Sequence, residues 1–440
     1  MRIESLTIAN VRAIEYGEFH FRPGFNLVVG VNGVGKSTVL DCLCICLSRV
    51  MPRISDSRSK ARAFAVSDIS SGFPFLDVKL SLQLGNGNFS YTRRQWREQF
   101  AKDDVENVER LRRQVLDTER LRDRARNLLR QLDTTHAVSD DDFYDPPLAQ
   151  LKKEARSVED SPFCLYFATN RATLSGAAGA KSSKAVADRA AAHVDALAAR
   201  SLQVRQIAEW LRAQQAMGKE REAARRHLTV LQAAVSRFLP EFNNLRPSDE
   251  GEPTLLVDHQ GARLDVRQLS DGERGVLALV LDLARRLSQT SSGGGDPLAE
   301  TEAIVLIDEI DLHLHPTWQR QIVRNLTSAF PRCQFIATTH SPLVIGEVEH
   351  SRIQIIADGQ VYSPPQSFGM DSSRVLEEIM EVDPRAQEVQ ELLSRISAKV
   401  GSQHFDEARQ LVTSLGELVG DNDPEVTRTL TLIDFMEGKE

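Results

Sequence analysis

The chain has 440 residues, 41% of them hydrophobic, 26% charged and 6% aromatic, with a net charge of -8. That length allows two or three domains, each with its own core, and the negative balance excludes a global positive field that would draw the protein to nucleic acid or acidic lipid. No stretch reaches the roughly 18 uninterrupted apolar residues of a membrane span, and the opening MRIESLTIANVR alternates apolar and polar residues rather than forming a signal peptide's apolar block, so the expected compartment is the reducing cytoplasm.

Short strands are expected at Arg2–Ile8, Gly17–Phe21 and Phe25–Val29. The last runs into GVNGVGKST and then the apolar VLDCLCICL, which makes a strand, a loop and a helix. Gly30 to Ser37 fits G-x-x-x-x-G-K-[ST] in that setting. Its glycines let the backbone curl, so that Asn32, Gly33 and Gly35 line phosphate oxygens with main-chain N–H groups, and the helix N-terminus adds partial positive charge. Lys36 is expected to reach the β- and γ-phosphates of a nucleotide, Ser37 to ligate Mg²⁺, and Thr38 to donate near the α-phosphate. Cys42, Cys44 and Cys46 follow among Leu and Ile. Only Cys42 and Cys46 share a helix face, so core packing is expected there rather than a metal cluster.

Val78–Leu84 and Asn88–Thr92 read as a hairpin about Gly85-Asn86-Gly87. From Arg93 to Leu132 the chain is rich in Arg and Glu with no Gly or Pro. Val108, Leu111 and Val115, then Leu121, Ala125, Leu128 and Leu132, are three and four apart but out of phase. A helical, coiled-coil-like arm inserted over 93–160 is the expectation, with a turn or loop at Asp140–Asp142 and Pro146–Pro147 and Leu148–Glu159 leading back. Its arginines, from Arg110 to Arg130, are interleaved with acids and read as a solvated face before a phosphate-contacting stripe, since aromatics for stacking are nearly absent.

Phe163–Phe167 is a continuous apolar run, expected as a buried strand, and Ala185–Leu239 is Ala-rich and helical. A small hairpin, Leu255–Asp258 with Arg263–Val266, precedes LSDGERG and a helix over Val276–Leu287; SQTSSGGGDP then reads as a linker. Two more buried strands, Ala303–Ile307 and Gln334–Thr338, flank a helix over Pro316–Phe330. Beyond Asp371 the tail is helical, with breaks near Asp383-Pro384 and Asp423-Pro424 and with Leu376, Ile379, Leu392, Leu393 and Ile396 at helical spacing. AIVLIDEID brings two acids to the end of a buried strand, where open α/β sheets bind ligands. Asp308 is placed to hold Mg²⁺, and Glu309 to orient and deprotonate an attacking water. In QFIATTHSP, His340 lies just past a strand end, where a neutral imidazole can bond the γ-phosphate or the water.

Taken in order, these pieces resemble the ABC ATPases, and among them the SMC, RecF and OLD-like heads rather than transporter domains. The matching pieces are Gly30–Thr38, the signature-like LSDGER at Leu269–Arg274, the Asp308-Glu309 strand, the D-loop-like Ile310–Pro316 and the His340 switch. YFATNRA, DEIDLHLHP, TTHSP and the FGMDSSRVLEEIM entry to the tail resemble most the OLD-like ATPases of bacterial anti-phage systems, such as the Septu ATPases. The resemblance implies an α/β fold: a P-loop head with a mostly parallel sheet and an antiparallel β subdomain, a helical lobe, an inserted arm and a helical tail. The expected segments are 1–92, 93–160, 161–287, 288–370 and 371–440. It also implies a composite site, in which ATP and Mg²⁺ on one head are closed by Ser270 and Gly272 of a second copy, with Asp311 coupling the two sites. Asn10-Val11-Arg12 resembles the Asn-Phe-Arg element that sets an arginine beside the nucleotide, with Val in place of Phe. No Q-loop glutamine is evident, and Asn170 or Arg171 is the expected stand-in. His313 and His315 are expected as structural or interface residues. The tail holds no recognised nuclease motif, so the implied role is an ATPase that pairs its heads and gates a separate effector, with a nuclease as partner and nucleic acid as a further one. The alternative is a RecF- or SMC-like DNA-binding ATPase of DNA repair.

Overall fold

The computed structural model describes residues 1–58, 60–73, 75–96, 142–157, 161–172, 189–199, 201, 204–218, 222–248, 253–291 and 295–438. They form two compact units, Met1–Gly369 and Met370–Glu440.

In the first unit, a six-stranded sheet has the order β14-β13-β3-β12-β11-β7. Its strands are β3 (Phe25–Val29), β7 (Cys164–Phe167), β11 (Ala303–Ile307), β12 (Cys333–Thr339), β13 (Ile353–Ala357) and β14 (Gln360–Tyr362). All neighbours are parallel except β13 and β14. Such strands are covered on both faces, which is why β7 and β11 read as unbroken apolar runs and β3 as one broken only by Asn26. Val29 lies opposite Thr339, Ala337 opposite Ile307, and Ile307 opposite Phe167. That register makes four strands end at one edge, and the segments after them emerge side by side.

A second, antiparallel sheet has the order β2-β1-β4-β5-β6, built from β1 (Arg2–Val11), β2 (Ile14–His20), β4 (Phe75–Leu84), β5 (Gly87–Trp96) and β6 (Asp142–Asp145). Helix α1 (Lys36–Ile54) shares one core with both sheets, joining Leu6, Leu80, Leu43, Ile304 and Ile336. Cys42, Cys44 and Cys46 are buried in that core. Burial pushes the titration of Cys42 and Cys44 upward, and no cluster of metal ligands forms among the described residues.

The sheet reaches further than its sequence suggests. β5 continues to Trp96, past the expected start of the arm, and β6 pairs with it where the acids and prolines signal a turn. The Tyr144 ring packs 5.1 Å from that of buried Tyr91, a cross-strand contact that outweighs those local cues. Helix α2 (Leu148–Ser157) follows. The out-of-phase apolar runs and the arginines of the expected arm lie outside the described residues.

A third sheet, of three strands, adds β8 (Phe242–Pro247) to the expected hairpin of β9 (Leu255–His259) and β10 (Ala262–Asp265). β8 lacks clear alternation, but Phe242 stacks on the His259 ring at 4.6 Å. Around it lie α3 (Val204–Met217), α4 (Glu222–Phe238) and α5 (Asp271–Thr290). α5 starts directly after Ser270, five residues earlier than its apolar period suggests, because Ser270 and Glu273 form a capping box. It also runs through Thr290, so the first residues of the expected linker are buried helix.

The second unit holds α7 (Ser372–Glu378), α8 (Gln387–Gly401), α9 (Phe405–Val419) and α10 (Pro424–Glu437), numbered after α6 (Pro316–Ala329) of the first unit. Ile396, Val412, Leu415 and Ile433 form its core, with Leu392 and Leu393 packed against them. That part of the tail's apolar stripe therefore serves the tail itself. Asp421-Asn422-Asp423 has the spacing of a carboxylate pair. However, Asp423 caps α10 through Glu425 N–H and binds Arg385 at 3.1 and 3.2 Å. Among the described residues no helix is long and apolar enough to cross a membrane.

Candidate nucleotide site

The shared sheet edge collects the residues that the motifs single out. After β3 the chain turns through Gly30, Gly33 and Gly35 into α1, with Val31, Asn32 and Gly33 at the exposed tip. Gly35, the residue before α1, has φ 109°, a left-handed value that a Cβ would oppose, and it offers no side chain to cap the helix. The first N–H groups of α1 therefore keep their partial positive charge for a ligand. Lys36 is buried, and its Nζ donates to the carbonyls of Gly30 (2.9 Å) and Val31 (3.0 Å), which folds the loop around the ammonium. Burial lowers its pKa, against the pull of Glu309, Asp308 and Asp311.

Ser37 Oγ donates to Asp308 Oδ1 at 3.2 Å, across 271 residues of chain. A hydroxyl and a carboxylate so placed form a hard oxygen pair suited to Mg²⁺. Asp308 is itself set by Thr338, whose Oγ1 donates to the same Oδ1 at 2.6 Å and accepts from Glu309 N at 2.7 Å. Thr38 is buried behind the loop. Lys36, Ser37 and Thr38 at the start of α1 thus lie at the same sheet edge as Asp308 and Glu309.

Asp311 accepts from Thr339 Oγ1 and from His340 N (3.4 Å), so the D-loop-like segment is tied to the backbone at His340 of the same chain. His340 has its pKa lowered by burial first and by Lys36 second, against Asp311, Glu309 and Asp308. Both causes favour the neutral imidazole, which can donate from one ring nitrogen and accept at the other. His315 is the N-cap of α6, with Nδ1 accepting from Thr317 N at 3.3 Å, and His313 is exposed with φ 61°.

Ser270 is exposed at the start of α5, and its hydroxyl donates to Glu273 Oε2 at 2.7 Å. Gly272 lies against the D-loop-like segment: a Cβ there would sit 2.3 Å from the His313 carbonyl oxygen. The signature-like and D-loop-like segments thereby pack directly on each other in this chain. Gly272→Ala is expected to displace it, lowering ATP hydrolysis more than tenfold while ATP binding at Lys36 persists. Nucleotide-binding and turnover assays on the same preparation test this; an alanine variant with normal turnover would show that the contact is dispensable.

Arg12, with φ 50°, donates to Asp41 (2.8 Å) on α1 and to Asp68 (2.9 Å). Burial opposes its charge, but the two carboxylates outweigh that and raise its pKa. Of the two Q-loop candidates, Asn170 is exposed, whereas Arg171 is buried and turned into the backbone after β11. Neither Thr338 nor the backbone role of Arg171 is evident from motifs; the signal for Thr338 is a polar pair, Thr338-Thr339, that follows the apolar run Phe335–Ala337 at the end of β12.

With this geometry in view, the family model described as "AAA domain, putative AbiEii toxin, Type IV TA system" matches residues 25–346. The chain belongs to this family. The matched span runs from β3 through His340. The chain is similar to the "Retron Ec83 probable ATPase" of Escherichia coli, at 40% identity over 201 residues, covering 44% of this chain and 37% of that one. It is also similar to the "Septu protein PtuA" of Bacillus mycoides (strain KBAB4), at 38% identity over 131 residues, covering 30% and 18%. The chain thus matches little more than a third of the relatives' length, or less. Among solved structures, an SMC head bound to the C-winged helix domain of ScpA aligns with TM-score 0.47 and 14% identity, over 82% of this chain and 98% of that one.

Proposed function

We propose that the chain binds ATP with Mg²⁺, hydrolyses it between two paired copies of its head, and thereby gates a separate effector, a nuclease, in bacterial anti-phage defence. The observation that carries the first part is the Ser37–Asp308 contact at 3.2 Å, beside the buried Lys36 and with Glu309 next in the chain. Mg²⁺ held by that pair supplies charge to the phosphate oxygens. Lys36 exchanges its loop carbonyls for the β- and γ-phosphates, while the loop N–H groups around Asn32, Gly33 and Gly35 line them. Glu309 takes the proton of the attacking water, and neutral His340 bonds the γ-phosphate or that water.

The exposed Ser270 at the start of α5 supports a pairing in which signature residues close a second copy's site. The tie from Asp311 to His340 supports coupling of the two sites. Arg12 completes the reading by leaving its carboxylates for the nucleotide. Relatives with retron and Septu names support the defence setting. A cycle that opens and closes a head pair is a two-state element that a docked effector can read.

Lys36→Ala is expected to weaken ATP binding at least tenfold, measured with a fluorescent ATP analogue. Purified wild type with Mg²⁺ and ATP is expected to hydrolyse ATP and leave plasmid and single-stranded DNA intact. Unchanged ATP affinity in the variant would sink the site assignment, and DNA cleavage by the pure chain would sink the separate effector.

A further inference from the structure

Glu309 has φ 46°, a left-handed conformation that a residue with a Cβ holds only when its surroundings impose it. The two peptide groups flanking its Cα are each fastened at both edges. In the first, Asp308 O accepts from Arg171 Nη1 at 2.7 Å and Glu309 N donates to Thr338 Oγ1 at 2.7 Å. In the second, Glu309 O accepts from Arg171 Nη2 at 2.6 Å and Ile310 N donates to Thr338 O at 2.9 Å. With both planes held, neither φ nor ψ of Glu309 changes without breaking one of these bonds. Two residues supply these four bonds, Thr338 from β12 and Arg171 from the turn after β7, and Leu312 N–H adds a further one to Glu309 O at 3.0 Å.

Arg171 is only 6% exposed. Among the described residues, every hydrogen bond of its guanidinium goes to a main-chain carbonyl, the weaker ones to Ala168 (3.3 Å) and Ile310 (3.4 Å). A buried cation spent on carbonyls, whose burial opposes its charge more than Asp311, Asp308 and Glu309 favour it, calls for an explanation beyond ion pairing. The planar fork provides one, since its two terminal nitrogens meet two successive carbonyls in a fixed, coplanar geometry that a freely rotating ammonium does not impose.

We infer that Arg171 is a positioning residue for hydrolysis: it holds the backbone of Glu309 so that the carboxylate is presented to the attacking water. The inference rests on the reading of Glu309 as the base. Thr338 shares the clamp but also orients Asp308, so a change there would disturb the cation pair as well. Arg171 is the separable half.

The test measures ATP affinity, kcat and KM for Arg171→Lys and Arg171→Ala, alone and with Glu309→Gln. Arg171→Ala is expected to lower kcat about 10- to 100-fold, as a misplacement of about 1 Å does, while ATP affinity and KM stay within about twofold. Arg171→Lys should fall between, and low concentrations of guanidinium ion should restore part of the alanine variant's kcat. In the Glu309→Gln background neither change should lower the residual rate further, since both act on one step. If the alanine variant fails to fold, the lysine variant carries the comparison. Wild-type kcat in Arg171→Lys, loss of ATP affinity in proportion to kcat, or full additivity with Glu309→Gln would each overturn the inference. Wild-type turnover in Glu309→Gln alone is a different result: it removes the base reading, and this inference with it.

Discussion

Glu309→Gln is expected to leave ATP bound and turnover nearly abolished. The substitution keeps the shape of the side chain and all the backbone bonds that hold residue 309, but an amide cannot accept the water's proton. Loss of a positioned base costs about 10²- to 10⁴-fold in rate. Because Ser37, Asp308 and Lys36 are untouched, nucleotide affinity should not fall, and the closed head pair should persist instead of cycling. Single-turnover hydrolysis and nucleotide retention after gel filtration separate the two effects. Lys36→Ala provides the contrast, since it removes a charge that contacts the ground state and should therefore appear in binding. Equal ATPase rates for wild type and Glu309→Gln would assign the base elsewhere.

The site was legible where its parts are contiguous in sequence. Gly30–Thr38 and Asp308-Glu309 declare themselves because an apolar strand, a special loop and a helix follow one another, and this local order is what creates the phosphate cradle. What could not be read depends on the parallel register. Thr338 reaches Asp308 and Glu309 only because β12 lies beside β11, with Ala337 opposite Ile307. Arg171 is visible as an arginine near the expected Q-loop, but its direction, into the carbonyls of residues 308 to 310, follows from β7 ending level with β11. The same holds for Gly272, which looks like part of a signature in sequence and in three dimensions also makes room for the His313 carbonyl. β6 and β8 were hidden for a related reason: their pairing energy comes from rings on other strands, Tyr91 and His259, while their own residues favour turns.

Mixing a Lys36→Ala chain with a Ser270→Arg chain is expected to restore ATP hydrolysis that neither shows alone. If each site takes its phosphate loop from one copy and its signature from the other, a mixed pair carries both lesions on one site and none on the second. Random pairing makes half of the pairs mixed, each with one of two sites intact, so roughly a quarter of wild-type activity should return under two-fold symmetry. Ser270 also caps α5, and losing a cap costs about 1 kcal/mol, so a misfolded Ser270→Arg chain is the obvious confounder. The mixture controls for it, because that chain must be folded to lend its own phosphate loop to the intact site. Activity should also rise with protein concentration at fixed ATP, as for any site assembled from two copies. A mixture no more active than its components, together with a wild-type rate per molecule independent of concentration and a monomeric mass with ATP bound, would mean that Ser270 serves its own helix alone. The contact between Gly272 and His313 would then be an internal brace rather than one wall of a shared site.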